Sequence, residues 1–369
     1  MLHWTLKSLL REPLSLLGSI LAVAGAFVLV LFFQAVFRGE SNNIVSYIEH
    51  SDADVWVMQK GVTNMHMATS LIWDWKADKV AGIEGVESVS PVLFLNTVLQ
   101  AGGRRWFSYV IGRRPEASAG GPWAMAAGRA APDQGEAVIP EVLARMTGLQ
   151  LGDLVTIAEQ NLRVVGLSRE TFSMAASITF VHAADLEEIL STIGVVSYIL
   201  VKATPGIDPA ALVTRIEQSV EKVTALPRTA FMRSDYELAM QMGVEVIALM
   251  TLIGGALAAI IVAFTAYSHT ARLRRELAII KAIGTRNRAV YLSVLSQAVS
   301  ITLAGFIVGV VMIELLAWLL PSVLPLVTLS VAGSDVLNTG LAAAAIAIMA
   351  ALPPAYAVAR VDPLSAFTA

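Results

Sequence analysis

Apolar positions fall into two regimes along the chain. Four windows hold no Asp, Glu, Lys or Arg: Pro13–Phe37, Val246–Tyr267, Ala289–Ile313 and Val336–Ala359, of 25, 22, 25 and 24 residues. A helix rises about 1.5 Å per residue, so roughly 20 residues cross about 30 Å of hydrocarbon. A helix in a soluble core keeps a polar stripe, and these windows have none. The pattern predicts four membrane-spanning helices, over 13–37, 246–267, 289–320 and 336–359. The first window is too long for a signal-peptide core and no small-residue cleavage site follows it, so an uncleaved anchor is expected.

Between the first two spans the pattern shortens to runs of four to six residues. Asp54–Gln59, Phe94–Leu99, Trp106–Ile111, Glu136–Ile139, Leu154–Ala158, Arg163–Leu167, Ile178–Val181 and Ser197–Val201 read as strands. Leu71–Val80, Glu141–Thr147, Ala184–Thr192 and Pro209–Thr224 read as helices. Asp208 and Pro209 form an N-cap and N1 start signal, and Gly148 is placed to close the helix before it. Strands and helices mix without strict alternation. The expected architecture is therefore a membrane protein: four transmembrane α-helices, with a large α+β extracytoplasmic domain at 38–245 inserted between helices 1 and 2.

Charge placement sets the expected orientation. Ser268–Arg288 carries Arg272, Arg274, Arg275, Lys281, Arg286 and Arg288 against one acid, Glu276, whereas 321–335 has no Lys or Arg. The positive-inside rule puts 268–288, both termini and the tail 360–369 on the cytoplasmic side, and the domain and the 321–335 loop outside. Residues 38–244 hold 17 basic and 23 acidic side chains, so the total of −3 hides an acidic head and a basic inner face. Nucleic acid is not an expected partner. Residues 1–12 place His3, Lys7 and Arg11 opposite Leu2, Leu6, Leu9 and Leu10, as in a helix lying among membrane lipids; a continuation of the first span is the alternative.

Chemistry is sparse. With no cysteine, disulfides, thiol catalysis and Cys-ligated metals are excluded. Neither a nucleophile elbow, nor H-E-x-x-H, nor a P-loop occurs, so no catalytic residue, resident metal or cofactor is expected, and any ATP and Mg must bind a separate subunit. Asn64-Met65-His66-Met67, near Met58, has soft donors suited to Cu(I), but reads better as a loop with apolar methionines. Glu245 and Glu314 fall at the outer ends of their spans rather than at mid-bilayer depth. Small residues at fourfold spacing, Gly18 and Ala22 in span one and Gly305 and Gly309 in span three, mark candidate close-packing positions.

Leu273, Leu277 and Ile280 give Arg272–Arg288 an amphipathic start continuing span two. Gly284 suits its C-terminal turn and Thr285 a cap for span three. A basic topogenic loop without a partner is the other reading of the residues alone. The stretch Arg275-Glu276-Leu277-Ala278-Ile279-Ile280-Lys281-Ala282-Ile283-Gly284-Thr285 resembles the signature of FtsX/MacB-type (type VII) ABC transporter permeases. Ala359-Arg360-Val361-Asp362-Pro363-Leu364-Ser365-Ala366-Phe367 is similar to their closing motif, with Phe367 where Leu is usual. Gly135–Leu167 is similar to their extracytoplasmic core domain, and Asp52–Gly61 resembles the DevC-type branch.

The resemblance implies a permease subunit that is not itself an enzyme. It would work as a homodimer, each copy bound to a cytoplasmic ABC ATPase subunit. The 272–288 segment would be the coupling helix: Arg272, Arg275, Glu276 and Lys281 would make charged contacts to the ATPase, Ile279 and Ala282 apolar ones, and Gly284 and Thr285 the turn. ATP-driven movement would pass to the outer domain by mechanotransmission and drive efflux or extraction, with a periplasmic adaptor and an outer-membrane channel as further partners. The alternative within the family is a relay that activates an extracytoplasmic enzyme such as a cell-wall hydrolase.

Overall fold

The computed structural model describes residues 13–172, 177–272, 276, 279, 285–324 and 326–359, without the side chains of 242–248, 269 and 357–359. Two compact units emerge. One comprises 40–243 together with Leu324–Thr328; the other comprises the helical segments on either side.

The first unit is built on a ten-stranded mixed sheet. Its strands are β1 (Val55–Gln59), β3 (Val86–Ala101), β4 (Arg104–Arg113), β5 (Met125–Gly128), β6 (Glu136–Pro140), β7 (Leu154–Ile157), β8 (Gln160–Ser168), β9 (Ile178–His182), β11 (Tyr198–Ala203) and β12 (Val223–Pro227). They lie in the order β12-β1-β11-β3-β4-β9-β6-β8-β5, with β7 paired to β3 and β8. A two-stranded sheet joins β2 (Ile72–Trp73) to β10 (Val195–Val196). The pairs β4–β9 and β6–β8 are parallel and the rest antiparallel.

The period-2 alternation of β1 sends its side chains into two different cores. Val55 and Val57 pack with Ala77 and Val80 of α3 (Trp75–Ala81) and Leu212 and Ile216 of α6 (Pro209–Ser219). Trp56 and Met58 face an aromatic core of Tyr47, Tyr109, Phe180, Tyr198 and Phe231. A third core covers the other half of the sheet with Leu143 and Ala144 of α4 (Glu141–Thr147) and Leu186 of α5 (Ala183–Leu190). Asp208 accepts the Ala210 N–H and Pro209 occupies N1 of α6. Gly148 closes α4 at φ 75°, a left-handed conformation that favours glycine.

Among the described residues, four long helices are apolar enough to cross a membrane: α1 (Pro13–Ile44), α7 (Arg228–Arg272), α8 (Asn287–Val323) and α9 (Gly333–Ala359). A short helix, α2 (Ser46–Glu49), follows α1. The helical unit packs through Val23, Ala26 and Phe27 of α1, Ala258 and Val262 of α7, Ile301 of α8, and Ala343 and Ala347 of α9. Leu252, Ile260 and Phe264 of α7, Leu303, Ile307 and Trp318 of α8, and Leu341 and Met349 of α9 are exposed, as a lipid-facing surface requires.

Several elements differ from their sequence expectation. The expected strand Phe94–Leu99 is the middle of the 16-residue β3, paired residue for residue with β4 as far as Ala101↔Arg104. Its polar positions Asn96 and Gln100 lie on a partly solvated face, which hid its length. The helix expected from Leu71 starts at Trp75, because Ile72 and Trp73 are drawn into pairing with Val196 and Val195. The helix expected to run to Thr224 ends at Ser219, and Val223 and Ala225 bury their side chains as β12. Met125–Gly128, rich in small residues, carries little strand propensity and pairs with β8 through tertiary contact. The spanning helices overrun the uncharged windows, because a helix continues beyond hydrocarbon with charged residues in water: α1 runs on through Arg38 and Glu40.

Candidate functional site

Of the expected ATPase contacts, Arg272, Glu276 and Ile279 fall within the described helical residues. Each of the three is helical, at a spacing of four and three. Arg272 donates from Nη1 to the Ser15 hydroxyl at 3.0 Å, and Ile279 is exposed. Arg275, Lys281, Ala282 and Gly284 lie outside the described residues. Thr285, expected to cap span three, is displaced from that position: α8 opens at Asn287, so the cap position falls to Arg286, whose carbonyl accepts the Ala289 N–H at 2.9 Å.

The four small residues singled out for helix packing divide into two pairs. A Cβ on Gly305 would stand 2.6 Å from the Val23 side chain and 3.1 Å from the Ile20 carbonyl oxygen; one on Gly309 would stand 3.2 Å from the Ala24 carbonyl oxygen. These glycines let α1 and α8 approach backbone to side chain. Gly18 has open space within 4 Å of its Cβ position, and Ala22 is exposed. The buried face of α1 is Val23, Ala24, Ala26, Phe27, Val30, Leu31 and Ala35, a face that mixes small and large apolar side chains and leaves Gly18 and Ala22 off it.

At the outer end of the bundle the guanidinium of Arg38 on α1 grips Asp335 on α9 with two hydrogen bonds, Nε–Oδ2 at 2.8 Å and Nη2–Oδ1 at 2.7 Å. One turn inward, Thr339 donates to Gln34 Oε1 at 3.1 Å, and the Ser330 N–H donates to the Ala35 carbonyl at 3.0 Å. Within the sheet unit, Glu40 accepts the Thr328 N–H and Asn43 donates to the Thr328 hydroxyl. Sequence reasoning missed this clasp. Its signal was a pair of opposite charges just beyond the outer ends of two uncharged windows.

The Asn64–Met67 segment holds a polar contact with α7. Asp235 of α7, 1% exposed, accepts the Met65 N–H at 3.0 Å, the His66 N–H at 3.4 Å and His66 Nδ1 at 2.8 Å. His66 meets Tyr109 edge-on, centroids 4.8 Å apart. Burial, and after it the Asp235 charge, push the Tyr109 phenol up to about 12 and raise Tyr198 as well. Among the described residues no group of three metal-ligating side chains forms. Nothing in the sequence marks Asp235, which lies among the charges Arg233 and Glu237. Glu314 faces outward on α8.

Comparison with known proteins agrees with this architecture. Residues 15–219 match the model of the MacB-like periplasmic core domain, and 247–363 that of the FtsX-like permease C-terminal domain. A permease of Mycobacterium tuberculosis, named an uncharacterized ABC transporter permease, is 24% identical over 368 residues, covering 100% of this chain and 99% of the relative. One of Mycobacterium bovis, similarly named, is 23% identical over 369 residues with the same coverage. Among solved structures, the periplasmic region of MacB from Actinobacillus actinomycetemcomitans aligns with a TM-score of 0.39 and 11% identity, covering 52% of this chain and 96% of that one. The protein is thus a multi-pass membrane protein with a large extracytoplasmic domain between its first and second spanning helices. With the first family model matching over half of its length, the chain belongs to the FtsX/MacB-type ABC transporter permeases.

Proposed function

We propose that this permease couples ATP hydrolysis on a separate cytoplasmic ABC ATPase to export or extraction of substrate on the outer side of the membrane, by mechanotransmission. Membership of the family implies the ATPase partner. The observation that carries the reading is α7. Residues 228–243 of this helix, with Phe231 buried, belong to the sheet unit and residues 244–272 to the helical unit. A continuous helix carries displacement along its axis with little loss, because each turn is braced by its own hydrogen bonds. Arg275, Glu276, Ile279, Lys281 and Ala282 would meet the ATPase, which holds ATP and Mg. A second copy of the chain completes the machine, and an adaptor and outer-membrane channel would receive the substrate.

The contact is tested by exchanging its charges. Arg275→Glu with Glu276→Arg should abolish co-purification of the ATPase while the permease still folds. Unchanged co-purification would remove the coupling assignment.

A further inference from the structure

Phe231 and Asp235, one turn apart, tie helix α7 into the sheet unit, beside the partly buried Met232 and the Arg228 guanidinium, which donates to the Glu49 carbonyl. Phe231 is fully buried, its ring centroid 5.0 Å from Trp56 and 5.9 Å from Tyr198. Asp235 is bonded rather than packed. Its three donors, two backbone N–H groups and His66 Nδ1, all come from the single loop between β1 and β2.

That loop is a stiff unit. Ser70 Oγ accepts the Gln59 N–H at 3.0 Å and donates to the Ser197 carbonyl at 2.5 Å. Gln59 Oε1 accepts the Leu71 N–H at 3.2 Å, and Asn64 Oδ1 accepts the Met67 N–H at 3.0 Å. It leads directly into β2, where Trp73 is 57% exposed. The next residue, Asp74, donates its N–H to Gly194, whose neighbour Ile193 is 87% exposed.

Burying a carboxylate is costly unless donors meet it, and an apolar side chain would seal the same space more cheaply. What the carboxylate adds is direction. Apolar contacts slide with little penalty, whereas three hydrogen bonds to one group hold the loop at one height along the helix. We propose that Asp235 is the joint through which α7 moves the 60–71 loop, and with it the exposed Trp73–Ile193 edge. It is a positioning residue for ATP-coupled movement, and this inference rests on the mechanotransmission reading above.

The test is amide hydrogen exchange on the full permease–ATPase complex in lipid nanodiscs, with and without ATP and vanadate. In the unaltered protein, exchange should change together in 228–241 and in 60–75. In Asp235→Leu the helix should still respond, the response at 60–75 should vanish, and the Met65 and His66 amides should exchange about tenfold faster without nucleotide. Asp235→Asn, which keeps an acceptor for the two backbone N–H groups, should restore most of the response, and no recovery in that variant also overturns the proposal. A wild-type response at 60–75 in Asp235→Leu overturns the proposal, as does an unaltered protein whose helix responds while 60–75 stays silent. A silent helix overturns the mechanotransmission reading itself, and the joint with it. If Asp235→Leu does not fold, Asp235→Ala, which removes the acceptor without adding bulk, takes its place with the same expected and overturning outcomes.

Discussion

Gln297 lies on α8 with its side chain buried and neither amide atom bonded among the described residues. In a bilayer no water relieves that cost. Gln297→Met, which keeps the volume and removes both polar atoms, should stabilise the detergent-solubilised protein by about 1–3 kcal/mol in a thermal melt. A loss of stability would show that the amide has a partner in the assembled protein. The glycines offer a matched contrast. Gly305→Val should destabilise by about 1–3 kcal/mol, since its Cβ has nowhere to go beside Val23, whereas Gly18→Val should leave the monomer's melting temperature unchanged. If Gly18→Val instead breaks association of two copies on a native gel, the small-residue face of α1 is an intermolecular one.

At the scale of elements, the Arg38–Asp335 clasp joins the outer ends of α1 and α9, with Gln34–Thr339 one turn inside it. The pair is partly exposed, at 36% and 18%, so solvent screens it. Arg38→Asp or Asp335→Arg alone should each cost about 1 kcal/mol or more in thermal stability, because a like-charged pair replaces a bidentate bridge. The double reversal should recover most of that loss. Equal losses in the singles and the double would show that the bridge contributes nothing.

For the whole molecule, the charge split reads as a topology. The absence of native cysteine makes every introduced cysteine a unique label. A cysteine at Ser88 or Thr328 should react with a membrane-impermeant maleimide in intact cells, and one at Thr285 should react only after lysis. Labelling of Thr285→Cys in intact cells would reverse the orientation expected from the Lys and Arg placement.

How much of this was legible in the residues depended on the range of the cause. Uncharged runs fix a membrane span locally, so four spans and the insertion after the first followed from sequence. The Asp208–Pro209 start and the Gly148 stop did so too, since caps act within one turn. The proposed coupling segment rests on its motif, whose charges and glycine all fall within 272–288. Tertiary structure decided whatever depended on a partner far along the chain. Ile72 and Trp73 became a strand only because Val195 and Val196 lie beside them, and Val223–Pro227 only because β1 offered an edge. Gly305 and Gly18 have the same chemistry, and only the fold put Val23 against one and open space against the other. Asp235 and Asp335 likewise look like solvated acids until the loop carrying His66, 169 positions away, and the helix carrying Arg38, 297 positions away, bring them donors. Hydrophobic runs and caps are properties of neighbours in sequence; pairing, packing and charge burial are properties of neighbours in space.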